Sequence, residues 1–452
     1  MLKVLEFFKG IGDAVSGMGS VVMVPVIIIF VGLFFRVNWK KAIKSGLLMG
    51  AGFQGISLVA GLLGQTLSPA AALLFERFNI NLQFVDAGWA AAAGIAYSTQ
   101  IGAFIIPMII LFNIIMLSLK LTKTVNIDIW NYWHYAFIGS LVFAMTGSLW
   151  LGVVGALAYC AFALRMADYN APDVQEMLGI PGISIPQAAS ISTAPVAYVM
   201  EWVYDRIPGF KNWKLDATEL NNKMGLLGDP ITIGFILGAA LGFLVGYDVK
   251  ASLEMGVKLG AVMLLLPRMV KVIMEALLPV SEAAKEFMQK RFSGEEYYIG
   301  LDSAVAVGHS SAVATAVLII PVYVLFTVLL PFNQVLPFGA LAGTVYFGAI
   351  IGIVHKGDFL RTFITSVILV VIAFAAATYI GPMVTEVAQG INYAFPDGAA
   401  GITYFSPSGL SYLVILGALK YEIVGTVVLL AVLVVFFWLT RDKKVKKTKT
   451  VE

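Results

Sequence analysis

Two aspartates lie close to glycine just before long apolar stretches, and they are the first candidates for functional residues. Asp86 precedes Gly88 and Trp89, and Asp302 follows Gly300. A carboxylate at membrane depth is costly unless it faces a partner or a wet cavity, so each is a candidate functional residue. Each aspartate could instead cap the helix that begins beside it, because aspartate accepts backbone N–H groups at helix N-termini.

Other polar side chains of the apolar stretches complete a candidate site for a polar ligand. Carboxylate, imidazole and amide groups form directional hydrogen bonds with the hydroxyl groups of sugars and polyols. The candidate ligand-binding residues are Asp86, Gly88, Trp89, Ser98, Gln100, Asn131, His134, Gln187, Asp302 and His309. An interfacial aromatic belt is the alternative explanation for Trp130, Tyr132 and Trp133.

The composition is that of a polytopic membrane protein. Of the 452 residues, 59% are hydrophobic and 13% charged, and the mean hydropathy is +0.88. A net charge of +3, scattered along the chain, does not suggest nucleic acid as a partner. The single cysteine, Cys160, excludes an internal disulfide, and the three histidines lack metal-ligand spacing. No metal or other cofactor is expected, and His355, in a charged loop, is predicted to be plain surface.

Apolar stretches long enough to cross a bilayer predict an all-α fold with about eleven transmembrane helices. The predicted spans are 19–36, 46–65, 94–118, 131–147, 149–165, 231–247, 255–278, 304–330, 336–354, 362–381 and 421–440. Ser68–Pro69 and Leu278–Pro279 each begin a half-polar stretch. At both places the pattern predicts an interfacial helix followed by a hairpin.

Glycine, proline and phenylalanine recur at a constant offset, which indicates an internal repeat. The same offset relates Gly94, Pro107 and Phe112 to Gly308, Pro321 and Phe326. Each unit holds five spans, and an odd number forces opposite orientations in the membrane. The units therefore form an inverted repeat, with binding expected where the halves meet. Chance recurrence of glycine and proline in apolar sequence is the alternative.

This organisation divides the chain into four regions. Residues 1–165 form the first inverted repeat, with a hairpin near 68–93, and residues 231–381 form the second, with a hairpin near 280–303. Residues 166–230 are a cytoplasmic linker with an amphipathic segment at Ala197 to Tyr204, and residues 382–452 hold the final span and a basic tail. Much of the linker is predicted to be a connecting segment without a functional role. Its apolar piece Gly182 to Gln187 could instead dip into the protein and offer the Gln187 amide to a ligand.

Lysine and arginine mark cytoplasmic loops and set the expected orientation. The tail from Arg441 to Lys447 is basic, which places the C-terminus inside. Counting back through eleven spans places the N-terminus outside. Lys250 and Arg77 are exceptions that fall on the outer side.

Several longer strings carry a resemblance to a known family. They are residues 126–134, 246–250, 261–268 and 333–339, with Gly300–Asp302 and Gly308–His309. With these strings the chain, from about residue 10 to residue 440, closely resembles the galactitol-type enzyme IIC permeases of the bacterial phosphotransferase system, in the ascorbate–galactitol superfamily. Galactitol permeases read Ile-Pro-His where this chain has Ile185-Pro186-Gln187, which leaves the exact substrate open.

The resemblance implies a homodimeric sugar-alcohol permease of the bacterial inner membrane, in contact with lipid. Spans one, two, six and seven would form a V-shaped dimerisation domain. A core domain with two re-entrant hairpins and the sugar site would move like an elevator. A separate IIB protein, supplied by IIA, would phosphorylate the polyol, since the IIB phosphocysteine has no counterpart here. Asp302 or His309 is then the candidate catalytic base, because the reacting hydroxyl must lose a proton within hydrogen-bond reach.

Two other classes of function stay open at this point. An ion-coupled secondary transporter would need no partner protein, so neighbouring genes for small IIA and IIB proteins would discriminate against it. A membrane enzyme acting on lipid would place its polar residues at the interface, whereas here they lie at the hairpin tips.

Overall fold

The computed structural model describes residues 22, 25–26, 28–30, 32–77, 82–208, 210, 230–291, 297–337, 339–393, 395 and 400–441. The start of the first predicted span, most of the linker beyond residue 210 and the basic tail lie outside these residues. The described chain is mainly helical, as the sequence predicts, but it also forms two small parallel sheets. The all-α expectation therefore holds for most of the chain and is wrong for these strands.

Two long series of elements make up the chain. The first consists of α1 Trp39–Arg77, β1 Phe84–Asp86, α2 Gly88–Ser98, α3 Gln100–Ser118, β2 Thr124–Asn126, a 3-10 helix Ile129–Tyr132, α4 Trp133–Thr146, α5 Leu149–Leu178, β3 Ile183–Ser184, α6 Ala188–Ile191 and α7 Ala194–Tyr204. The second consists of α8 Pro230–Val245, α9 Val249–Arg291, β4 Tyr298–Gly300, α10 Ala304–Val307, α11 Ser310–Leu329, β5 Val335–Leu336, a 3-10 helix Gly339–Gly343, α12 Val345–Val354, α13 Phe359–Gly390, β6 Gly401–Thr403, α14 Gly409–Leu419 and α15 Glu422–Leu439. The order of elements that follows β1 recurs after β4.

Each sheet combines strands from both series. In one sheet β1 lies between β5 and β6, and Phe84 pairs with Val335. In the other β4 lies between β2 and β3, and Tyr298 pairs with Thr124. All four pairings are parallel. Each central strand therefore takes both of its neighbours from the other half of the chain.

The two long helices do not stop at their prolines. α1 continues through Pro69 to Arg77, and α9 continues through Pro279 to Arg291. The two stretches predicted as separate interfacial helices therefore continue α1 and α9. Proline removes one backbone hydrogen bond from a helix. Membrane helices tolerate this loss, because neighbouring groups and local adjustment of the helix satisfy the freed carbonyl.

Two predicted continuous spans are broken instead. The stretch 94–118 breaks at Thr99, whose hydroxyl accepts the N–H of Gly102 at 3.0 Å and so begins α3. The stretch 304–330 breaks at Gly308 and His309, and the His309 Nδ1 accepts the N–H of Ser311 at 3.3 Å to begin α11. Both breaks lie at the corresponding place in the order of elements, one helix after the central strand.

The remaining predicted spans agree with helices in part. Spans four and five are separate helices, because Gly147 ends α4 with φ +67° and the Ser148 hydroxyl accepts the N–H of Leu151 to begin α5. α5 runs on to Leu178, well into the predicted linker. The segment after residue 382, predicted to hold a single span, contains the additional helix α14.

Five described helices are long and apolar enough to cross a membrane, namely α3, α5, α11, α13 and α15. Parts of α8, together with α12 and α14, are apolar but shorter. This hydropathy supports a membrane protein, whereas the count of eleven spans and the orientation of the termini stay predictions.

Small residues allow close helix packing within the chain. A Cβ built on Gly256 of α9 would lie 2.6 Å from the carbonyl oxygen of Phe235 in α8. A Cβ on Gly260 would lie 2.9 Å from the carbonyl oxygen of Ile231. The family resemblance implies a homodimer built on spans one, two, six and seven. The contacts seen here are between helices of one chain, so the dimer stays a prediction.

Candidate functional site

The two aspartates lie near the ends of the two central strands but do not occupy equivalent positions. β1 begins at Phe84 and β4 at Tyr298, and the offset between them is the one that relates Gly94 to Gly308. At that offset Asp86 matches Gly300, and Asp302 matches Gly88. Asp86 is therefore the last residue of its strand, whereas Asp302 lies beyond the end of its strand at Gly300.

The two carboxylate oxygens of Asp302 have different partners. Oδ1 accepts the backbone N–H of Ala304 at 2.7 Å, so it supports the start of α10. Oδ2 accepts a hydrogen bond from the side-chain amide of Asn131 in the first 3-10 helix. The residue is partly buried. Asp302 thus supports the start of α10 with one oxygen and accepts from a side-chain amide with the other.

A second carboxylate shares the Asn131 amide. The Asn131 Nδ2 lies 2.9 Å and 3.0 Å from the two carboxylate oxygens of the buried Asp128. The same nitrogen donates to Asp302. One amide nitrogen with two protons therefore serves two carboxylates. Neither carboxylate forms an ion pair with any residue in the described ranges.

Gln187 and His134 form a second polar pair close to Asp302. Gln187 follows β3, and its Oε1 accepts the backbone N–H of Ser190 at 2.7 Å. Its Nε2 lies 3.3 Å from the His134 Nε2. The Ser190 hydroxyl bonds at 2.9 Å to the hydroxyl of Ser303, the residue after Asp302. The prediction that this part of the linker enters the protein agrees with the structure, in which Gln187 is buried.

Aromatic rings form one wall beside the polar pair. The Trp133 ring stacks on His134 with 3.7 Å between ring centroids, and Tyr404 contacts Trp133 edge-on at 5.6 Å. Trp133 is 2% exposed, so it is a core residue and not part of an interfacial belt. Within the described chain, neither the Trp133 Nε1 nor the His134 Nδ1 has a hydrogen-bond partner. Buried polar nitrogens without partners are costly unless another polar group meets them.

Asp86 joins the two halves of the chain. Its Oδ1 accepts the N–H of Gly88 at 3.1 Å and the N–H of Phe405 at 2.9 Å. Phe405 follows β6, and Gly88 packs closely on Gly339, because a Cβ on Gly339 would overlap the Gly88 nitrogen. Gly88 has φ +79°, which favours glycine. The geometry of Asp86 and Gly88 thus supports a structural junction between the halves.

The other predicted site residues are dispersed. The Ser98 side chain donates to the Gly94 carbonyl oxygen at 2.8 Å, and Gln100 is exposed at the start of α3. Trp89 is partly buried. The His309 Nδ1 bonds to the hydroxyl of Ser311 at 2.7 Å. None of the hydrogen bonds described here connects these four residues with Asp302.

One prediction outside the site is wrong. His355 is 2% exposed and is not surface. Its Nδ1 bonds to Glu201, and its Nε2 lies 2.9 Å from the Thr365 hydroxyl. The Arg361 guanidinium also binds Glu201, at 2.6 Å. This buried polar network connects α7 with the α12–α13 loop.

Four contributors to the site were missed from the sequence, namely Asp128, Trp133, Ser190 and Ser303. The first two lie in a string whose aromatic residues suggested a membrane belt, and the two serines carry no signal of their own. The described residues contain no group of three or more histidine, cysteine, aspartate or glutamate side chains suited to a metal ion.

Comparison with known proteins supports a single family. Residues 15–398 match the family model EIIC-GAT, described as the PTS system sugar-specific permease component. One relative, named "Putative permease IIC component", from Escherichia coli (strain K12), is 40% identical over 432 residues, covering 95% of this chain and 99% of the relative. The galactitol-specific EIIC component of the PTS system from the same strain is 37% identical over 425 residues, covering 91% and 94%.

These matches extend over nearly the whole chain and agree with its apolar helices. The protein therefore belongs to the EIIC-GAT family of sugar-specific permease components of the PTS system.

Proposed function

We propose that this protein transports a sugar alcohol of the galactitol type. The observation that carries the proposal is the grouping of a carboxylate, two amides and an imidazole around the end of β4, on Asp302, Asn131, Gln187 and His134. Such groups bind hydroxyls directionally. The relative named as galactitol-specific supports this choice of substrate.

Asp302 is the proposed catalytic base. The substrate hydroxyl oxygen would attack the phosphorus of a phosphorylated IIB protein, the oxygen–phosphorus bond would form, and the bond from phosphorus to IIB would break. Asp302 would take the hydroxyl proton. Asp302 is preferred to His309 because it contacts Asn131 of the polar group, whereas none of the hydrogen bonds described above connects His309 with that group. The only cysteine, Cys160, is fully buried, which is consistent with a phosphoryl donor on another chain.

The recurrent order of elements supports the proposed inverted repeats. Residues 1–165 and 231–381 would form the repeats, residues 166–230 the linker, and residues 382–452 the final span with the tail. β1 of the first proposed repeat pairs with β5 of the second, and β4 of the second pairs with β2 of the first. The remaining neighbours, β3 and β6, belong to the linker and to the final region. The polar group around Asp302 and the junction at Asp86 would then lie at the two ends of a common core.

The long helices support a proposed division of labour. α1, α8 and α9 pack on one another through small residues, and they would form a scaffold that dimerises. The compact elements around the two sheets would form the moving core of an elevator. Asp86, Gly88, Trp89, Ser98 and Gln100 belong to this core, and their contact with the substrate stays a prediction.

A binding screen tests the proposal. Purified protein is titrated with hexitols, pentitols and ascorbate to measure binding. Phosphorylation of each compound is then measured with and without the phosphorylated IIB protein whose gene lies nearest to the gene of this protein. Binding of one hexitol, with phosphorylation only in the presence of IIB, is expected. Transport that persists without IIB and follows an ion gradient would favour a secondary transporter instead.

A further inference from the structure

Gln187 is held in one orientation by the protein backbone. Its Oε1 accepts the Ser190 N–H at 2.7 Å. If the amide were turned around, its NH2 group would face that N–H, which places two donors against each other. The orientation of this glutamine therefore follows from a backbone donor, and it does not depend on the usual ambiguity between amide oxygen and nitrogen.

The fixed orientation of the Gln187 amide determines which nitrogen of the His134 ring is protonated. The Gln187 Nε2 carries only donors, and it lies 3.3 Å from the His134 Nε2. That ring nitrogen must therefore accept, so it carries no proton. In the neutral ring the proton then lies on Nδ1, because the hydrogen bond at one ring nitrogen determines which nitrogen is protonated. No carboxylate in the described ranges forms a hydrogen bond or ion pair with His134.

The Nδ1–H group points to a ligand. His134 is 1% exposed, and its Nδ1 has no partner within the described residues. The Nε1–H of Trp133, on the ring stacked against it, also lacks one. A buried donor without an acceptor is unfavourable. A substrate oxygen would satisfy one or both groups.

We propose that Gln187 is a positioning residue that fixes His134 as a neutral Nδ1–H donor to a substrate oxygen. This inference rests on the proposed sugar site. Gln187 acts through the imidazole, because its amide oxygen is taken by Ser190 and its nitrogen faces the ring. The amide of Gln187 therefore determines which nitrogen of the His134 ring carries the proton.

Nitrogen NMR of the protein labelled with ¹⁵N in its histidine rings tests the inference without any substrate. The His134 signals are identified by their loss in His134→Asn. At neutral pH the wild type should show a protonated Nδ1 and an unprotonated Nε2. A proton on Nε2, alone or in a doubly protonated ring, would overturn the inference.

Two glutamine variants complete the test. In Gln187→Glu one carboxylate oxygen still accepts from Ser190, and the other faces His134, so the ring should gain a proton on Nε2. Gln175→Glu is the matched control, because Gln175 also bridges backbone groups of this loop, with the N–H of Gly182 and the carbonyl of Ile183 both at 3.0 Å. The control should leave the His134 signals unchanged. Equal changes in both variants, or no change in Gln187→Glu, would contradict a specific role for Gln187.

Measurements with added galactitol then test the proposed function separately from this inference. If the site binds galactitol, its addition should shift the His134 Nδ1 signal, and Gln187→Leu should weaken binding about three- to tenfold, as expected for one neutral hydrogen bond. The tautomer measured without sugar decides the role of Gln187. The absence of any galactitol effect would count against the substrate, not against the tautomer.

Discussion

Replacement of Asp302 by asparagine tests the candidate site most directly. Asparagine keeps an oxygen for the Ala304 N–H but places an NH2 group against the amide NH2 of Asn131. It also removes the negative charge that a substrate hydroxyl would meet. Loss of a hydrogen bond to a charged group costs about 1.5–3 kcal/mol, which corresponds to roughly ten- to a hundredfold weaker binding. IIB-dependent phosphorylation should fall as well, because the proposed base is absent.

Calorimetric titration with galactitol and a phosphorylation assay with IIB measure these effects. Asp302→Ser is the matched control for the helix start, because serine also accepts backbone N–H groups there. It should melt close to the wild type in detergent while binding as weakly as the asparagine variant. Wild-type binding and phosphorylation by Asp302→Asn would show that Asp302 only caps α10, and would refute the site.

Four further predictions concern stability, orientation and assembly. Arg361→Met should lower the free energy of unfolding by about 1–3 kcal/mol, less than for a fully buried pair because Glu201 is partly exposed; an unchanged melting temperature would contradict this. Gly256→Ala should destabilise the protein by about 1–3 kcal/mol, since the new methyl would overlap the Phe235 carbonyl. The control Gly417→Ala, with no atom within 4 Å, should be neutral or stabilising by up to about 1 kcal/mol, and equal shifts would contradict the packing argument. A reporter fused after Glu452 should be active only in the cytoplasm, and external activity would overturn the orientation. Mass measurement in mild detergent should give a dimer, and a monomer that still binds substrate would count against it.

The spacing between the two central strands agrees with the repeat seen in the sequence, although no strand was predicted there. The constant offset seen in glycine, proline and phenylalanine also separates the start of β1 from the start of β4. Asp86 and Asp302 are separated by slightly more than this offset, so they lie in similar places without being equivalent. Because their positions differ, the two aspartates have different hydrogen-bond partners. One ends a strand and accepts two backbone N–H groups, whereas the other meets a side chain.

The strands and helix breaks could not be predicted, for physical reasons. A strand of two or three residues is too short to show the alternation that identifies a strand. Thr99 and His309 interrupt apolar runs whose hydropathy is continuous, so length and composition alone indicate one helix. The burial of His355 depends on Glu201, which lies far away in the sequence. Its charged neighbours in sequence suggested an exposed loop.

The strand order has a consequence for the order in which the molecule can assemble during synthesis. β2 and β3 precede β4, so the sheet around β4 can close once residue 300 has been added. The sheet around β1, which ends at Asp86, must wait for β6, which ends at Thr403 near the other end of the chain. Of the six strands in the described residues, β1 is therefore made first, and its pairing is completed only when β6 has been made. If synthesis stops before residue 403, β1 lacks its neighbour β6. A truncation near the end of the chain would therefore leave a sheet incomplete whose central strand lies near the beginning.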